Sequence, residues 1–159
     1  MRIRRVEPDE WRLLRDVRLR ALAEAPYAFA TTHSEAASQP DPYWHGMLRQ
    51  PAWIAEEKEE WLGMVRARPE DEETAHLISM WVDPAARGAG VGRRLVEAVV
   101  EWAQAQGLRR VVLWVAEGNA AAETLYRSTG FVRTGDRQPL PSDPTTYESM
   151  MRLDLDAAR

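Results

Sequence analysis

The sequence predicts an α/β fold (of the α+β type) built around a helix that links two strands. His76–Val82 (HLISMWV) is an apolar segment typical of a strand, and Val91–Gln106 repeats apolar residues at helical spacing until Gly107. Val111–Val115 (VVLWV) is continuously apolar, which is expected for a strand buried on both faces. A strand, a helix and a strand in this order predict a right-handed parallel crossover. At 159 residues, the chain is expected to form one domain, 1–159.

The segment before this crossover begins with a predicted strand, Ile3–Val6, and a helix opened by Pro8. Leu13, Leu14, Val17 and Ala21 recur at helical spacing and are predicted to face the core. The arginines on the other faces are interpreted as solvated rather than as a binding site: Arg12, Arg15 and Arg18.

The next predicted elements are a loop at Tyr27–Thr32 and a short helix at Tyr43–Arg49, in which Trp44 is interpreted as packed and His45 as partly exposed. Two paired strands follow, Ala52–Ala55 and Trp61–Val65, joined by a charged turn.

Beyond the crossover, Asn119 is the predicted side-chain cap of a helix that ends at Gly130. Phe131–Thr134 is predicted as a strand, Asp136–Pro144 as a proline-rich loop and Tyr147–Leu155 as the final strand.

The composition excludes several classes of function. The chain contains no cysteine, so disulfides, cysteine-ligated zinc and a cysteine-linked acyl-enzyme cannot form within it. Three scattered histidines give no metal-ligand spacing, so no metal is expected. A net charge of −4 argues against nucleic acid as a partner. No apolar run approaches the length of a membrane span, and we expect a cytoplasmic protein that does not bind membranes.

A glycine-rich turn between the central strand and the helix has the character of an anion site. Backbone N–H groups at a helix start lack intrahelical partners and carry the positive end of the helix dipole. Glycines at 88, 90 and 92 would let an anion approach them, and Arg87, Arg93 and Arg94 add positive charge. The spacing does not match the dinucleotide-binding GxGxxG pattern, and no Ser or Thr follows as in a Walker A loop.

Two motifs in this part of the chain resemble those of the GNAT superfamily of acyl-CoA-dependent N-acetyltransferases. The R/Q-x-x-G-x-G/A signature is matched by Arg87, Gly90 and Gly92, after Trp81-Val82-Asp83-Pro84. A later motif is matched by Asn119, Tyr126, Gly130 and Phe131.

The resemblance implies a mixed, mostly antiparallel twisted sheet with helices on both faces. The two central parallel strands should splay apart, helped by a bulge near Ser79–Trp81. It assigns the cofactor diphosphate to the strand-loop-helix His76–Gly107 and the catalytic tyrosine to the strand-helix Val111–Phe131.

The implied co-substrate is acetyl-CoA, with the pantetheine arm pairing like an extra strand with Met80–Val82. The cofactor-binding residues implied are Met80, Trp81, Val82, Arg87, Gly88, Ala89, Gly90, Val91, Gly92, Arg93 and Asn119. Tyr126 would protonate the departing thiolate as general acid.

The base that deprotonates the amine is less defined. Many members of the family carry a glutamate on the central strand where this chain has His76, whose ordinary pKa would suit a base at neutral pH. Glu35, Glu117 and Glu148 are alternatives that the sequence does not rank. By analogy with the family, the acceptor pocket is expected between Tyr27–Glu35, Tyr43–His45 and the loop Asp136–Pro144.

The leading hypothesis is therefore an N-acetyltransferase in which an amine attacks acetyl-CoA directly in a ternary complex. The alternatives are a catalytically inactive CoA-binding sensor of the same fold and, less favoured by the motifs, a nucleotide-binding domain unrelated to CoA. The resemblance also makes a homodimer the default expectation.

Overall fold

The computed structural model describes residues 1–155 and contains one seven-stranded sheet. The strands are β1 (Arg2–Arg5), β2 (Ala52–Glu57), β3 (Glu60–Pro69), β4 (Thr74–Val82), β5 (Arg110–Ala116), β6 (Val132–Leu140) and β7 (Asp143–Asp154). The helices are α1 (Trp11–Glu24), α2 (His33–Ala37), α3 (Asp41–Met47), α4 (Val91–Ala105) and α5 (Ala120–Ser128).

The strand order across the sheet is β1-β2-β3-β4-β5-β7-β6. Every neighbouring pair is antiparallel except β4 and β5, which are parallel and joined through α4. This arrangement confirms the predicted mixed, mostly antiparallel sheet with a parallel crossover at its centre.

Helices cover both faces of the sheet, as predicted. Successive residues of a strand point to opposite faces, so each strand contributes side chains to both cores. Trp53 and Ala55 of β2 pack with α4 and Tyr126 of α5 in one core cluster. Ile54, between them, packs with α1, α2 and α3 in the other. For brevity we call these the α4 face and the α1 face.

The two parallel strands separate after only three rungs. Thr74, Ala75 and His76 pair with residues 110–112, and the ladder then ends although both strands continue. The predicted splay is therefore present. From Leu77 to Val82, β4 is paired on its β3 side and unpaired on the side of β5.

A β-bulge accompanies the separation. Met64 pairs with Trp81 and Arg66 with Ile78, so β4 carries one more residue than β3 in this interval. Ser79 lies inside it with a φ of 58°, a left-handed conformation that is uncommon for a residue with a side chain. The bulge is where the sequence predicted it, and the local kink that bulges produce explains why β4 turns away from β5.

Several predicted boundaries were wrong. The predicted loop Asp136–Pro144 is mostly strand, because β6 and β7 meet in a tight turn at residues 141–142. Proline is tolerated there because β6 is an edge strand. The helix α2 was missed, although Thr32 and Glu35 form a capping box at its start. The last strand was predicted to begin at Tyr147, four residues after β7 begins.

Two predictions about α1 were also wrong. Leu13 is 48% exposed rather than part of the core. Arg18, interpreted as solvated, is only 7% exposed and packs beneath Phe29. The side chains of Trp44 and His45 match their interpretation, since Trp44 is buried and His45 is exposed and stacks on Trp11.

Of the helices described, none combines the length and the apolar composition that crossing a membrane would require.

The close approach of β3 to β4 beside the bulge gives a stability prediction. A Cβ on Gly63 would lie 2.8 Å from the Trp81 carbonyl oxygen and 3.3 Å from Leu95. Because a backbone atom must move, Gly63→Ala should lower the free energy of unfolding by about 1–3 kcal/mol in urea denaturation. Gly46→Ala in α3 is the matched control, since its Cβ would meet nothing within 4 Å. It should be neutral or stabilising by up to about 1 kcal/mol. Equal effects of the two changes would contradict the packing described.

Candidate functional site

The site is centred on the first turn of α4. Gly90 is the N-cap residue, with a φ of 82°, and no side chain caps the helix. The first turn, Val91-Gly92-Arg93, therefore presents backbone N–H groups that lack intrahelical acceptors at the positive end of a 15-residue helix. Such an uncapped start binds anions.

The three glycines of this turn serve different purposes. Gly88 and Gly90 both have positive φ, and a Cβ on either would meet no atom within 4 Å. Their contribution is therefore the backbone conformation of the loop. A Cβ on Gly92 would lie 2.9 Å from Leu125 of α5, so this glycine lets the two helices pack closely.

The start of α5 lies on the same cavity. Asn119 caps the helix by accepting a hydrogen bond from the Ala122 backbone N–H at 3.3 Å. The small residues Ala121 and Ala122 line the cavity beside it. Two helix N-termini thus open into one space.

This cavity, of about 420 Å³, lies between the loop after α1, the unpaired part of β4, and the starts of α4 and α5. Ten of the eleven predicted cofactor-binding residues line it: Met80, Trp81, Val82, Arg87, Gly88, Gly90, Val91, Gly92, Arg93 and Asn119. Ala89 is not among the lining residues. The opposite wall is formed by Ala25, Tyr27, Ala28 and Phe29. The sequence analysis placed Tyr27–Glu35 at the acceptor pocket and did not assign it to this cavity.

Arg87 is held by protein groups. Its Nε donates to the Val82 carbonyl at 3.0 Å, and its Nη2 donates to Glu24 Oε2 at 2.7 Å. The same Glu24 oxygen accepts from the indole N–H of Trp81 at 2.9 Å. Arg20 also pairs with Asp83. These contacts attach the end of α1 to the loop before α4, so the signature arginine shapes the cavity through Glu24 and Val82.

The other two arginines of the turn differ in their positions. Arg93 donates to the Ser128 carbonyl at 3.3 Å and faces Glu97 at 3.4 Å, yet it lines the cavity and is about half exposed. Arg94 donates to the Met1 carbonyl at 3.3 Å and does not line the cavity. Of the two, only Arg93 places positive charge at the cavity beside the uncapped turn.

Tyr126, the predicted acid, lies in the core of the α4 face and is 6% exposed. Its ring packs edge-on against Phe131, with centroids 5.9 Å apart, and it does not line the cavity. Burial raises the pKa of the phenol well above its ordinary value. The hydroxyl therefore remains protonated throughout the physiological range.

His76, the predicted base, is buried at the last rung that β4 shares with β5. Its Nδ1 lies 3.3 Å from Nη2 of Arg68, and it does not line the cavity. Burial, aided by the charge of Arg68, lowers the pKa of His76 from 6.5 to about 4. The imidazole is thus neutral at pH 7 but weakly basic.

The three alternative carboxylates differ in their surroundings. Glu35 closes the capping box of α2. Glu117 is held by Arg137, whose hydrogen bonds lower the pKa of Glu117. Glu148 on β7 is 5% exposed and accepts from Gln138 at 2.6 Å. Burial raises the pKa of Glu148 above its ordinary value, so Glu148 is more basic than Glu117.

The predicted walls of the acceptor pocket meet on the α1 face. Ser142, in the β6–β7 turn, donates a hydrogen bond to the Phe29 carbonyl. Two arginines on this face were not assigned to the site by the sequence analysis: Arg18, which is buried beside Phe29, and Arg66, which is partly buried beside Ser79. The helical spacing could have indicated that Arg18 is buried. Leu14 and Ala21, four residues before it and three after it, lie on the same face of α1 and are both buried.

The lowered pKa of His76 gives a pH prediction. The unfolded chain takes up a proton near pH 6.5, but the folded chain does so only near pH 4, so stability is lost as the pH falls across this window. The loss should approach about 3 kcal/mol, at 1.36 kcal/mol per pKa unit. His76→Gln should remove this part of the pH dependence of unfolding in urea. An unchanged slope in the variant would contradict the buried neutral imidazole.

Comparisons with known proteins agree with this geometry. The profile of the acetyltransferase (GNAT) family matches residues 17–131. Human N-acetyltransferase 8 is 36% identical over 88 residues, which cover 52% of this chain and 39% of that protein. The chain therefore matches well under half the length of this curated relative.

Solved structures share the fold. A GNAT-family acetyltransferase from Streptococcus pneumoniae superposes with a TM-score of 0.84 at 23% identity, covering 98% of this chain and 99% of that one. A GNAT-family acetyltransferase from Elizabethkingia anophelis with acetyl-CoA bound gives a TM-score of 0.62 at 18% identity, covering 73% and 84%. With a profile match that spans most of its length, the chain belongs to the acetyltransferase (GNAT) family.

Proposed function

We propose that this chain transfers the acetyl group of acetyl-CoA to an amine by direct attack in a ternary complex. One observation carries the proposal: the uncapped N-terminus of α4 and the unpaired part of β4 line the same cavity. The first can hold a diphosphate and the second an extended amide-containing chain, which are the two recognisable parts of CoA. The structural relative with acetyl-CoA bound supports this choice of co-substrate.

The residues of the cavity fit the diphosphate. The backbone N–H groups around Gly90–Arg93 are without a side-chain cap, and the positive φ of Gly88 and Gly90 shapes the loop that leads to them. Arg93 adds a charge at the edge. Diphosphate oxygens would replace water on these donors, and the fixed helix dipole would favour them without further rearrangement.

The edge of β4 would orient the reacting end. Met80 and Trp81 follow the bulge, where the backbone is free on the side of β5. The Val82 carbonyl is already occupied by Arg87, so the available groups lie at and just after the bulge. Acetyl-CoA supplies a thioester carbonyl at this point, and a backbone N–H of β4 would stabilise the negative charge that develops on its oxygen.

The transfer requires two proton movements. The free amine nitrogen forms a bond to the carbonyl carbon, the carbon–sulfur bond breaks, the nitrogen loses a proton and the thiolate gains one. An amine that is protonated in solution must lose one further proton before it attacks. We assign the donor on the thiolate side to Tyr126, because a phenol is protonated at neutral pH; burial raises the pKa of Tyr126 and makes it a weaker acid in the free protein. Tyr126 does not line the cavity, so this assignment requires the helix or the ring to move when the co-substrate binds.

For the amine proton we favour Glu148 over His76. A lysine-type amine has a pKa near 10.4, so its deprotonation opposes the reaction by about 4–5 kcal/mol at pH 7. A more basic group accepts the amine proton more readily. Burial raises the pKa of Glu148 but lowers the pKa of His76 to about 4, so Glu148 is the better base of the two. Glu148 also lies on the α1 face, where Ala116 is its partner on the splayed strand β5.

The same fold could serve as a CoA-binding sensor without catalysis. The burial of Tyr126 away from the cavity wall is the observation that favours this alternative. The sensor would bind CoA equally well but would release no thiol with any amine.

The binding step is tested by two glycines with the same backbone conformation. Gly90 and Gly107 lie at opposite ends of α4 with φ of 82° and 75°. A Cβ on either glycine would meet no atom within 4 Å. Gly90→Ala and Gly107→Ala should each lower stability by about 1–2 kcal/mol, the cost of a left-handed alanine. Only Gly90→Ala should also raise the Kd for CoA, by about tenfold or more, in calorimetry. Equal CoA affinity in the two variants would remove the α4 turn from the binding site.

The chemical step is tested by thiol release with a panel of amines. Glu148→Gln should lower kcat by about 10²-fold or more and weaken the acidic limb of the pH profile, because the base is removed. Tyr126→Phe should lower kcat to a similar degree with little change in CoA affinity. His76→Gln is the comparison variant. A larger loss in His76→Gln than in Glu148→Gln would reassign the base, and silence of the wild type across the panel would favour the sensor.

A further inference from the structure

The α1 face contains two arginines without acidic partners, of which Arg18 is buried and Arg66 is partly buried. Arg18 is 7% exposed, and its Nε and Nη1 are buried without a hydrogen-bond partner among the described residues. The Nε of Arg66 is also buried and unpartnered. The remaining nitrogens of Arg66 have only long contacts, 3.4 Å to Ser79 Oγ and 3.4 Å to the Met47 carbonyl.

The neighbouring charges add to the excess of positive charge around these groups. Burial, together with the smaller effect of the positive charge on Arg18, lowers the pKa of Arg66 to about 10. Tyr43 and Arg68 are the other titratable groups that influence the pKa of Arg66. Arg68 in turn lies 3.3 Å from His76. No carboxylate within residues 1–155 acts on either guanidinium. Burying one unpaired charge is costly, and burying two together is more so.

The position of the pair links it to the reaction. The guanidinium of Arg18 lies 5.4 Å from the ring centroid of Phe29, which lines the cavity. Arg66 contacts the hydroxyl of Ser79, the bulge residue immediately before Met80. Both arginines therefore lie behind the cavity wall near the bulge, on the face where the amine would enter, and away from the α4 turn assigned to the diphosphate.

We infer that Arg18 and Arg66 bind a carboxylate of the amine acceptor, so that the acceptor is an amino-acid-like molecule. This inference rests on the proposed function. A guanidinium presents parallel N–H donors that match the two oxygens of a carboxylate. A bound carboxylate would supply the missing acceptors and cancel part of the buried charge. The two arginines thus lower the stability of the free protein and recognise the acceptor.

The substitution Arg18→Met separates this role from a structural one. If the arginine is there to bind, replacing it with an apolar side chain of similar length should raise the Tm of the free protein, by about 2 °C or more. The same change should weaken the carboxylate acceptor. A purely structural arginine would instead lower the Tm when replaced. Arg12→Met is the matched control on the same helix, because Arg12 is exposed and lies over the ring of Trp11.

The kinetic test compares amino acids with their amides, which keep the amine and lose the carboxylate. The wild type should prefer the acids by about 100-fold in kcat/KM, and Arg18→Met should lose this preference while the KM for acetyl-CoA stays constant. Arg66→Met should behave like Arg18→Met, and Arg18→Lys should retain part of the preference. Acetylation of acids and amides at equal rates would overturn the inference while leaving the proposed function intact.

A binding test does not depend on catalysis. Sodium succinate should raise the Tm of the wild type more than sodium chloride of equal ionic strength, and this difference should vanish in Arg18→Met and persist in Arg12→Met. Stabilisation by phosphate but not succinate would overturn the assignment to a carboxylate. No stabilisation by succinate, with a lowered Tm in Arg18→Met, would show that the arginines are structural.

Discussion

The structure of the site depends on the early separation of β4 and β5. A parallel pair in the middle of a sheet would normally continue its ladder, and its backbone groups would be satisfied by each other. Here the ladder ends after His76, the bulge at Ser79 turns β4 aside, and six residues of a central strand remain unpaired on one side. Because this part of β4 lines a cavity, its free N–H and C=O groups are available to an extended ligand.

The helices convert this gap into a directional site. Because α4 begins where β4 ends, its uncapped first turn lies at one end of the gap, and α5 begins beside it. Glu24 fixes the opposite wall by binding both Trp81 and Arg87. The diphosphate end of the site is thus rich in backbone donors, whereas the bulge end is bordered by buried arginines on the α1 face. The two ends of the cavity therefore differ in chemistry, which suits a long co-substrate at one end and a short acceptor at the other.

Much of this could be predicted from the sequence because it is encoded locally. The apolar run of β5, the glycines before α4 and the asparagine that caps α5 each specify structure within a few residues, and the family resemblance located the bulge. Long-range contacts were not predictable in this way. Nothing near Arg18 in the chain indicates that Phe29 covers it, and nothing near Arg87 shows that Glu24 binds it. The first residues of β6 were predicted as a strand, but its second half was assigned to a loop, because Pro139 and the prolines that follow indicate a loop unless the strand is known to lie at an edge.

The most direct test is the response of the α4 amides to a diphosphate. In ¹H–¹⁵N spectra, CoA should shift the backbone resonances of Gly90, Val91 and Gly92 downfield, as expected for new hydrogen bonds to anionic oxygens. Pantetheine, which lacks the diphosphate, should leave these resonances in place while still shifting those of Met80 and Trp81. If CoA binds but the Gly90–Gly92 resonances do not move, the uncapped turn does not hold the diphosphate and the account of the site is wrong.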